Sequence, residues 1–332
     1  IDGSTIYAIN GKTGEKEFSS TDAAVVIQNA VNALASAGKI FIKKGTYDIA
    51  SSIVMRNLSN IIIEGEGRAT LLQTSQNTDM FDTTKLQNCI FRNLYLKGSG
   101  VASSHNDLLD LDDASYCTVE HCVLEDSPCA AIIFGYETDL NMAYNKALDN
   151  IIISPASDGI AVHSHNSTVE GNTIITSGDS GIVIGELGGT RIWRRNIVAL
   201  NQIYDPAGRG IWGDNAPYTI VKGNQIYSPG KTGITFGTSD CNFSYFEGNI
   251  VESPAWTGIE VYGDYIAIIG NKVNNVGSAS KGIHQSKTGS VEFIAIGNYV
   301  VGGTDGIKVD APTRSLIEAN IVRDSTRYGI YL

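Results

Sequence analysis

Two histidines and a basic loop are the residues of this sequence whose types and spacing best suit chemistry. His163 and His165 alternate, so they share a face if both lie in one strand, and histidine exchanges protons near neutral pH. Three arginines and a tryptophan then fall within five residues: Arg191, Trp193, Arg194 and Arg195. A guanidinium binds a carboxylate through paired hydrogen bonds, and an indole can stack on a sugar ring. The pattern predicts proton transfer beside an acid-binding loop; the alternative is a loop whose arginines pair with nearby acids.

Five further side chains complete the candidate site on either side of the histidines: Tyr136, Glu186, Arg209, Trp212 and Asp214. Tyr136 has a hydroxyl that could donate a proton, and Arg209 has a cation that could neutralise a developing charge. The other three are expected to contact a ligand. The alternative is an ordinary solvated face, because solvent-facing side chains are polar in most proteins.

A cluster of acids lies earlier in the chain. Asp110, Asp112 and Asp113 follow one another closely, and Ca²⁺ prefers several oxygen ligands of this kind. We therefore expect these three carboxylates to be candidate calcium ligands. The alternative is a set of isolated, exposed acids.

Composition and charge exclude several classes of function. The 332-residue chain carries 24 basic and 35 acidic side chains, a net charge of −11, whereas a nucleic-acid binder needs a basic stripe. No run reaches eighteen consecutive apolar residues, so we expect no membrane insertion. Hydrophobic residues, at 42%, suffice for a packed core. The five cysteines are odd in number and lack C-x-x-C spacing, which predicts buried thiols rather than a zinc or redox motif.

A repeat of 22 to 29 residues must position these side chains. Gly-Ile pairs recur eight times between Gly159 and Ile330, and Asn-x-(Ile/Val) recurs in phase from Asn172 to Asn320. The stretches between them alternate apolar and polar residues, as strands do, and the period leaves no room for a helix. Each period should form one coil of a parallel solenoid, whose strands stack about 4.8 Å apart. The glycine should supply a tight bend, and the asparagines should stack as a hydrogen-bonded ladder.

The same repeat predicts which side chains point outward. Residues two after each glycine should face solvent: Ala161, Val183, Trp212, Thr235, Glu260, His284 and Lys308. Two positions further on come His163, Gly185, Asp214, Gly237, Tyr262, Ser286 and Asp310. The register decides the face, because a slip of one residue would turn these side chains inward.

The two ends of the chain differ from the repeat. Residues 22–36 should form an amphipathic helix, capped by Ser20 or Thr21 and ended by Gly38. We expect residues 1–50 to be a capping segment and residues 51–332 one continuous β-helix. At the other end, Gly329–Leu332 should form a last strand with an unprotected apolar edge, where end-to-end or other oligomeric contact is expected.

The run TDAAVVIQNAVNALASAGKIFIKKGTYDI, together with the later G-N-x-I and G-I-x-V segments, resembles the pectate-lyase-like superfamily of right-handed parallel β-helices. The resemblance implies an all-β fold: a single-stranded, right-handed parallel β-helix of about eleven or twelve coils with an N-terminal α-helical cap. It also implies a polysaccharide partner along the outer face of one sheet and an extracellular or cell-surface location. The motifs of polygalacturonases, of the main pectate lyases and of mannuronan epimerases are not complete in this sequence.

The resemblance is specific for the fold and not for the activity. The cluster beside the basic loop favours a polysaccharide lyase acting by β-elimination on a uronic-acid polymer. His163 or His165 would be the base and Tyr136 the acid, and the arginines or Ca²⁺ would neutralise the substrate carboxylate. The alternatives are a non-enzymatic glycan-binding, adhesive or structural β-helix, a C5-epimerase, and a glycoside hydrolase using Asp112 with Glu186 or Asp214. In every enzymatic case, residues 110–113, 163–165 and 191–195 are expected to line one groove.

Overall fold

The computed structural model describes residues 5–34, 36–135, 141–185, 191–237 and 240–332. The chain divides into two compact units, Ile1–Ala156 and Ser157–Leu332. Among the described residues, no helix combines the length and the apolar character that a membrane crossing requires.

The first unit opens with an antiparallel hairpin and a helix. Strands β1 (Ile6–Ile9) and β2 (Lys16–Ser20) pair with each other, and α1 covers Ala23–Ala33. The helix is shorter than expected and its N-cap is Asp22, not Ser20 or Thr21, because the Asp22 carboxylate accepts the backbone N–H of Ala24 at 2.9 Å. Gly38 does not end the helix; it opens the next strand.

Helix α1 is tied to the edge of a sheet through a side-chain amide. Gln28 accepts the backbone N–H of Val54 at 2.7 Å and donates to its carbonyl at 2.9 Å, as a neighbouring strand would. Val26, Ile27 and Val31 are buried on the inner face of the helix. The amide thus satisfies the backbone of an edge residue that would otherwise need another partner.

Three parallel sheets make up the rest of the first unit. Its strands are β3 Gly38–Phe41, β4 Gly45–Asp48, β5 Ile53–Arg56, β6 Ile61–Glu64, β7 Thr70–Gln73, β8 Phe81–Thr84, β9 Ile90–Arg92, β10 Tyr95–Lys97, β11 Leu109–Asp112, β12 Thr118–Glu120, β13 Val123–Glu125, β14 Ile132–Phe134, β15 Lys146–Leu148 and β16 Ile151–Ile153, with a 3₁₀ turn at Gly67–Ala69. Within this unit, each strand pairs in parallel with the strand three places further along the chain. Sheet 1a holds β3-β6-β9-β12-β15, sheet 1b holds β4-β7-β10-β13-β16 and sheet 1c holds β5-β8-β11-β14.

The second unit repeats this architecture. Its strands are β17 Ile160–Val162, β18 Thr168–Glu170, β19 Thr173–Ile175, β20 Ile182–Ile184, β21 Ile197–Ala199, β22 Gln202–Tyr204, β23 Ile211–Gly213, β24 Ile220–Lys222, β25 Gln225–Tyr227, β26 Ile234–Phe236, β27 Tyr245–Glu247, β28 Ile250–Glu252, β29 Ile259–Val261, β30 Ile266–Ile269, β31 Lys272–Val276, β32 Lys281–Gln285, β33 Phe293–Ile296, β34 Tyr299–Gly302, β35 Asp305–Val309, β36 Ser315–Glu318, β37 Ile321–Arg323 and β38 Tyr328–Tyr331. Sheet 2a holds every third strand from β18, sheet 2b from β19 and sheet 2c from β17. The parallel solenoid of about eleven turns is confirmed.

The glycine before each inward isoleucine has a different role from the one expected. None of these glycines has a positive φ among the described residues, so none acts as a left-handed bend. At Gly233, an added Cβ would lie 2.6 Å from the carbonyl oxygen of Gly258 and 2.4 Å from a methyl of Val251. From Gly159 to Gly306, glycine is required in each Gly-Ile pair because neighbouring coils approach too closely for any side chain; at Gly329 there is room for one.

The predicted asparagine ladder is confirmed in the second unit. Asn249, which is fully buried, donates through Nδ2 to Oδ1 of Asn271 at 2.9 Å and to the carbonyl of Val221 at 2.9 Å. Its own Oδ1 accepts from Nδ2 of Asn224 at 2.9 Å. The pattern continues from Asn172 to Asn320, so each amide satisfies backbone groups that a turn would leave unpaired.

Other expectations concern the ends and the cysteines. Strand β38 forms where predicted, and Ile330, Tyr331 and Leu332 are exposed; oligomeric contact there stays a prediction. Four cysteines are buried and Cys129 is half-buried, and in the described part of the chain all five are free thiols.

Candidate functional site

In the first unit, the acids of β11 point outward as predicted. Asp110 and Asp112 are half-buried on the outer face of sheet 1c, whereas Leu109 and Leu111 are buried. Asp110 lies directly opposite Asp82 of β8 in the sheet register. The alternation of apolar and acidic residues therefore sets the direction of both carboxylates.

These carboxyls crowd one another. Burial, followed by the charges of Asp112 and Asp107, raises the pKa of Asp110 to about 9. Burial, followed by the charge of Asp79, raises the pKa of Asp107 to about 7. Arg56 offsets the negative charge of only one neighbouring acid, Asp82, to which it donates two hydrogen bonds at 2.9 and 2.7 Å. Protonation therefore relieves the repulsion within this cluster.

Calcium binding by Asp110, Asp112 and Asp113 stays a prediction. Asp113 follows the strand, is buried and has a φ of 50°, so its carboxylate belongs to the turn rather than to the outward row. Within the described ranges, no group of three or more His, Cys, Asp or Glu side chains is arranged to hold a metal ion.

In the second unit, the outer face of sheet 2c carries three rows of side chains. The centre row is Ala161, Val183, Trp212, Thr235, Glu260, His284 and Lys308. The leading row, one residue before each glycine, is Asp158, Ser180, Arg209, Thr232, Thr257, Lys281 and Asp305. The trailing row, just after the strands, is His163, Gly185, Asp214, Gly237, Tyr262, Ser286 and Asp310. The predicted alignment in rows is confirmed, but the expected exposure holds for only some members. Buried members are Ala161, Val183, Thr235 and His284 in the centre row, and His163 and Asp214 in the trailing row.

The two histidines meet on a buried tryptophan. Strand β17 ends at Val162, so His163 and His165 lie in the turn that follows rather than within the strand. Their rings lie 6.4 and 5.3 Å from the ring of Trp193, centroid to centroid. Trp193 is 1% exposed. It therefore packs beneath the histidines and presents no free face to a sugar, contrary to the expectation of a stacking platform.

A backbone hydrogen bond fixes the tautomer of His165. The N–H of Arg194 donates to Nδ1 of His165 at 3.0 Å, so that nitrogen offers its lone pair and the ring proton sits on Nε2. In this arrangement Nε2–H can donate a proton or a hydrogen bond but cannot act as the base. His163 is 7% exposed, so it is the more deeply buried of the pair.

The arginines of the loop differ in their surroundings. Arg194 and Arg195 are exposed, and Arg191 is half-buried. The guanidinium of Arg195 lies 5.6 Å from the ring centroid of Tyr218. Arg194 thus contacts the ring of His165 through its backbone and exposes its side chain to solvent.

Arg209 and Trp212 form a cation–π pair at the middle of the face. The guanidinium carbon of Arg209 lies 4.8 Å from the ring of half-buried Trp212. Asp214, the third residue predicted here, is 2% exposed and directly follows β23. Nearby in the leading row, burial and then Asp179 raise the pKa of Asp158 to about 6, although Arg209 opposes the shift.

A charged network further along sheet 2c was missed by sequence reasoning. Nε2 of His284 lies 2.9 Å from Oδ2 of Asp310, and Nδ1 lies 3.5 Å from Oε1 of Glu260. Nζ of Lys308 lies 2.8 Å from the other oxygen of Asp310. The predicted outward rows contained all four residues, but only the coil-to-coil register shows that they contact one another.

Both carboxylates of this network are held in the charged form. The hydrogen bond with His284 is the main cause of the lowered pKa of Glu260. Burial opposes ionisation of Asp310, but Lys308 and His284 together lower its pKa. A hydrolase pair needs one carboxyl that stays protonated, so Glu260 and Asp310 do not supply that pair.

Tyr136 and Glu186 lie outside the described residues. The expectation of one groove that joins residues 110–113 to 163–165 and 191–195 stays a prediction. Within the second unit, the face brings Arg209, Trp212 and the missed network onto one sheet, and the turn brings His163, His165 and Arg194 together.

The comparisons with known proteins decide the family. The family described as "Right handed beta helix region" matches residues 40–199 and 140–300. The chain belongs to this right-handed β-helix family. A search of curated protein sequences finds no significant match.

Several β-helix structures are similar to this protein. The A-module of the mannuronan C-5 epimerase AlgE6 of Azotobacter vinelandii has a TM-score of 0.74 at 16% identity, over 94% of this chain and 92% of that one. PfbA, a surface adhesin of Streptococcus pneumoniae, has a TM-score of 0.73 at 11% identity, over 93% and 90%. The catalytic domain of a GH87 α-1,3-glucanase in complex with tetrasaccharides has a TM-score of 0.70 at 16% identity, over 88% of this chain and 61% of that one. At these identities, the similarity concerns the fold alone.

Proposed function

We propose that this β-helix protein is an extracellular or cell-surface polysaccharide lyase, which binds a uronic-acid polymer along the outer face of sheet 2c. The observation that carries the proposal is the Arg209–Trp212 pair at the middle of that face. The guanidinium can pair with a substrate carboxylate, and the exposed part of the half-buried indole can contact the sugar. Similar folds in proteins described as an epimerase, a glucanase and an alginate lyase support a carbohydrate substrate.

The cleavage would be a β-elimination. A base removes the proton alpha to the uronate carboxylate, the electron pair forms a carbon–carbon double bond, and the glycosidic oxygen leaves with a proton from an acid. Arg194 would neutralise the carboxylate, and His163 would be the base. His165 would be the acid, because its proton sits on Nε2; Tyr136 is the alternative acid.

A C5-epimerase would share the first step of this reaction but would return the proton to the opposite face of the sugar. It therefore predicts an altered uronate composition without chain cleavage. A glycoside hydrolase using Asp112 with Glu186 or Asp214 is a further alternative. Glu260 and Asp310 do not supply its acid, because their charged partners lower both pKa values.

A non-enzymatic glycan-binding or adhesive β-helix is the second candidate. The specific observation in its favour is that the imidazoles of the second unit are packed into contacts. His163 and His165 lie against Trp193, and His284 lies between two carboxylates. An adhesin would need the exposed track but no free base.

The test is incubation with a panel of uronic-acid polymers, read at the absorbance of unsaturated sugars, with binding measured in parallel. A lyase should release unsaturated product, and His165→Ala should abolish release. His121→Ala is the matched control, because His121 is an exposed histidine of the first unit. Binding without any product would favour the adhesin, and a protein that neither binds nor cleaves any polymer would contradict both candidates.

A further inference from the structure

Trp256 is an exposed aromatic residue with nothing stacked on its ring. It lies in the turn before β29, and 55% of its surface is exposed. The other large aromatic side chains that are exposed each contact another ring or a cation: Phe41, Tyr116, Tyr144, Tyr218, Phe243, Tyr265, Tyr328 and Tyr331. Among the residues that the structure describes, Trp256 has neither kind of partner, so its indole face is available to a ligand.

The neighbouring coils leave this indole uncovered. On the preceding coil, the backbone carbonyl of Lys231 accepts the N–H of Trp256 at 3.2 Å. The ammonium of Lys231 extends the other way and reaches Asp179 at 3.7 Å. On the following coil, the equivalent position is Ser280. A small hydroxyl on one side and a retracted lysine on the other leave room for a flat, partly apolar ligand.

A lysine without a close ion pair lies on the coil next to Trp256. Lys281 occupies the leading row on the next coil, where its carbonyl accepts the N–H of Gly258 at 3.0 Å. Lys281 is half-buried, and the described part of the chain shows no ion pair within 4.0 Å of its ammonium. The charges of Glu260 and Asp305 act on this ammonium from beyond 4.0 Å, so it keeps hydrogen-bond donors for the carboxylate of an anionic ligand.

We propose that Trp256 and Lys281 form a binding subsite for an acidic sugar. The pyranose ring stacks on the indole of Trp256, and its carboxylate pairs with the ammonium of Lys281. This inference rests on the proposed function and extends it, since it places the polymer across the leading edge of sheet 2c. Trp256 lies two coils beyond Trp212, which is about 10 Å along the solenoid, so the two tryptophans bind separate sugar units of one chain.

The experiment measures the affinity of a uronic-acid hexasaccharide, oligogalacturonate or oligomannuronate, by calorimetry and by tryptophan fluorescence. Trp256→Ala should weaken binding roughly tenfold, which is about 1.4 kcal/mol. Lys281→Gln should weaken binding of the hexasaccharide but leave the affinity for its carboxyl-reduced form unchanged. Tyr265→Ala and Lys222→Ala are matched controls, because they remove an exposed aromatic ring and an exposed lysine from other parts of the unit.

The outcomes separate this inference from the proposed function. If Trp212→Ala weakens binding while Trp256→Ala and Lys281→Gln bind as the parent does, the glycan track stands and the subsite is wrong. If Lys281→Gln weakens both ligands equally, the pairing with a carboxylate is wrong. If the unaltered protein binds neither hexasaccharide, both proposals fail. Circular dichroism and the melting temperature establish that each variant is folded.

Discussion

Nε2 of His284 lies 2.9 Å from Oδ2 of Asp310, which belongs to the next coil and to the adjacent row of the same face. The other ring nitrogen faces Glu260 on the preceding coil, at 3.5 Å. One imidazole thus links three successive coils of sheet 2c. Lys308 pairs with Asp310 but not with Glu260. The pKa values of the two carboxylates can therefore be changed separately.

Replacing His284 by alanine should raise the pKa of Glu260 toward its ordinary value, because the hydrogen bond with His284 is the main cause of its depression. Carbon-13 NMR of the side-chain carboxyls measures the shift. Lys308→Ala is the control: it removes a partner of Asp310 but not of Glu260, so it should raise the pKa of Asp310 and leave that of Glu260 unchanged. An unchanged Glu260 titration in the His284 variant would contradict the network.

The asparagine ladder should contribute strongly to stability. Asn249→Ala removes an amide that satisfies Asn224, Val221 and Asn271 in a fully buried turn, so we expect a loss of about 3 kcal/mol or more in the free energy of unfolding. Asn320→Ala removes the half-buried last member of the ladder, where water can replace the lost bonds, and should cost less. Urea denaturation measures the free energy of unfolding of both variants. Equal losses would show that burial of the amide does not determine the size of the effect.

Arg194→Ala should raise KM for a uronic-acid polymer more than it lowers kcat if its exposed guanidinium only binds the substrate carboxylate. Steady-state cleavage kinetics, read at the absorbance of unsaturated product, provide the measurement. Arg314→Ala is the matched control, because that exposed arginine pairs with Glu292 elsewhere in the unit. A fall in kcat with unchanged KM would instead place Arg194 in the chemical step.

The outward face could be predicted because its signal is local. The period of two within each strand and the spacing of Gly-Ile pairs fix the register of Trp212, Thr235 and Glu260 without knowledge of any distant contact. The asparagine ladder could be predicted for the same reason. Residues 201–211 and 224–234 match at seven of eleven positions, and both segments begin with the asparagine of the ladder.

The turns could not be predicted, because their conformations depend on contacts between coils. His163 and His165 would share a face if both lay in one strand, but β17 is only three residues long and ends before them. The burial of Trp193 against them depends on a turn 29 residues further along the chain, as does the hydrogen bond from Arg194 to His165. No local pattern in the sequence encodes such a pairing.

Stability of the first unit should fall as the pH rises from about 4 to about 7, because the folded state keeps Asp107 protonated across this range while the unfolded chain does not. A pKa raised from 3.8 to about 7 corresponds to a loss on the order of 4 kcal/mol once the group is ionised in both states.

Asp107→Asn keeps the oxygen that accepts the N–H of Ala130 at 2.7 Å but cannot ionise. Its free energy of unfolding, measured in urea at pH 4.5 and pH 8, should therefore change less than that of the parent. Asp205→Asn, in an exposed turn of the second unit, is the control and should follow the parent. If Asp107→Asn keeps the full pH dependence, the loss arises from other carboxyls of the cluster.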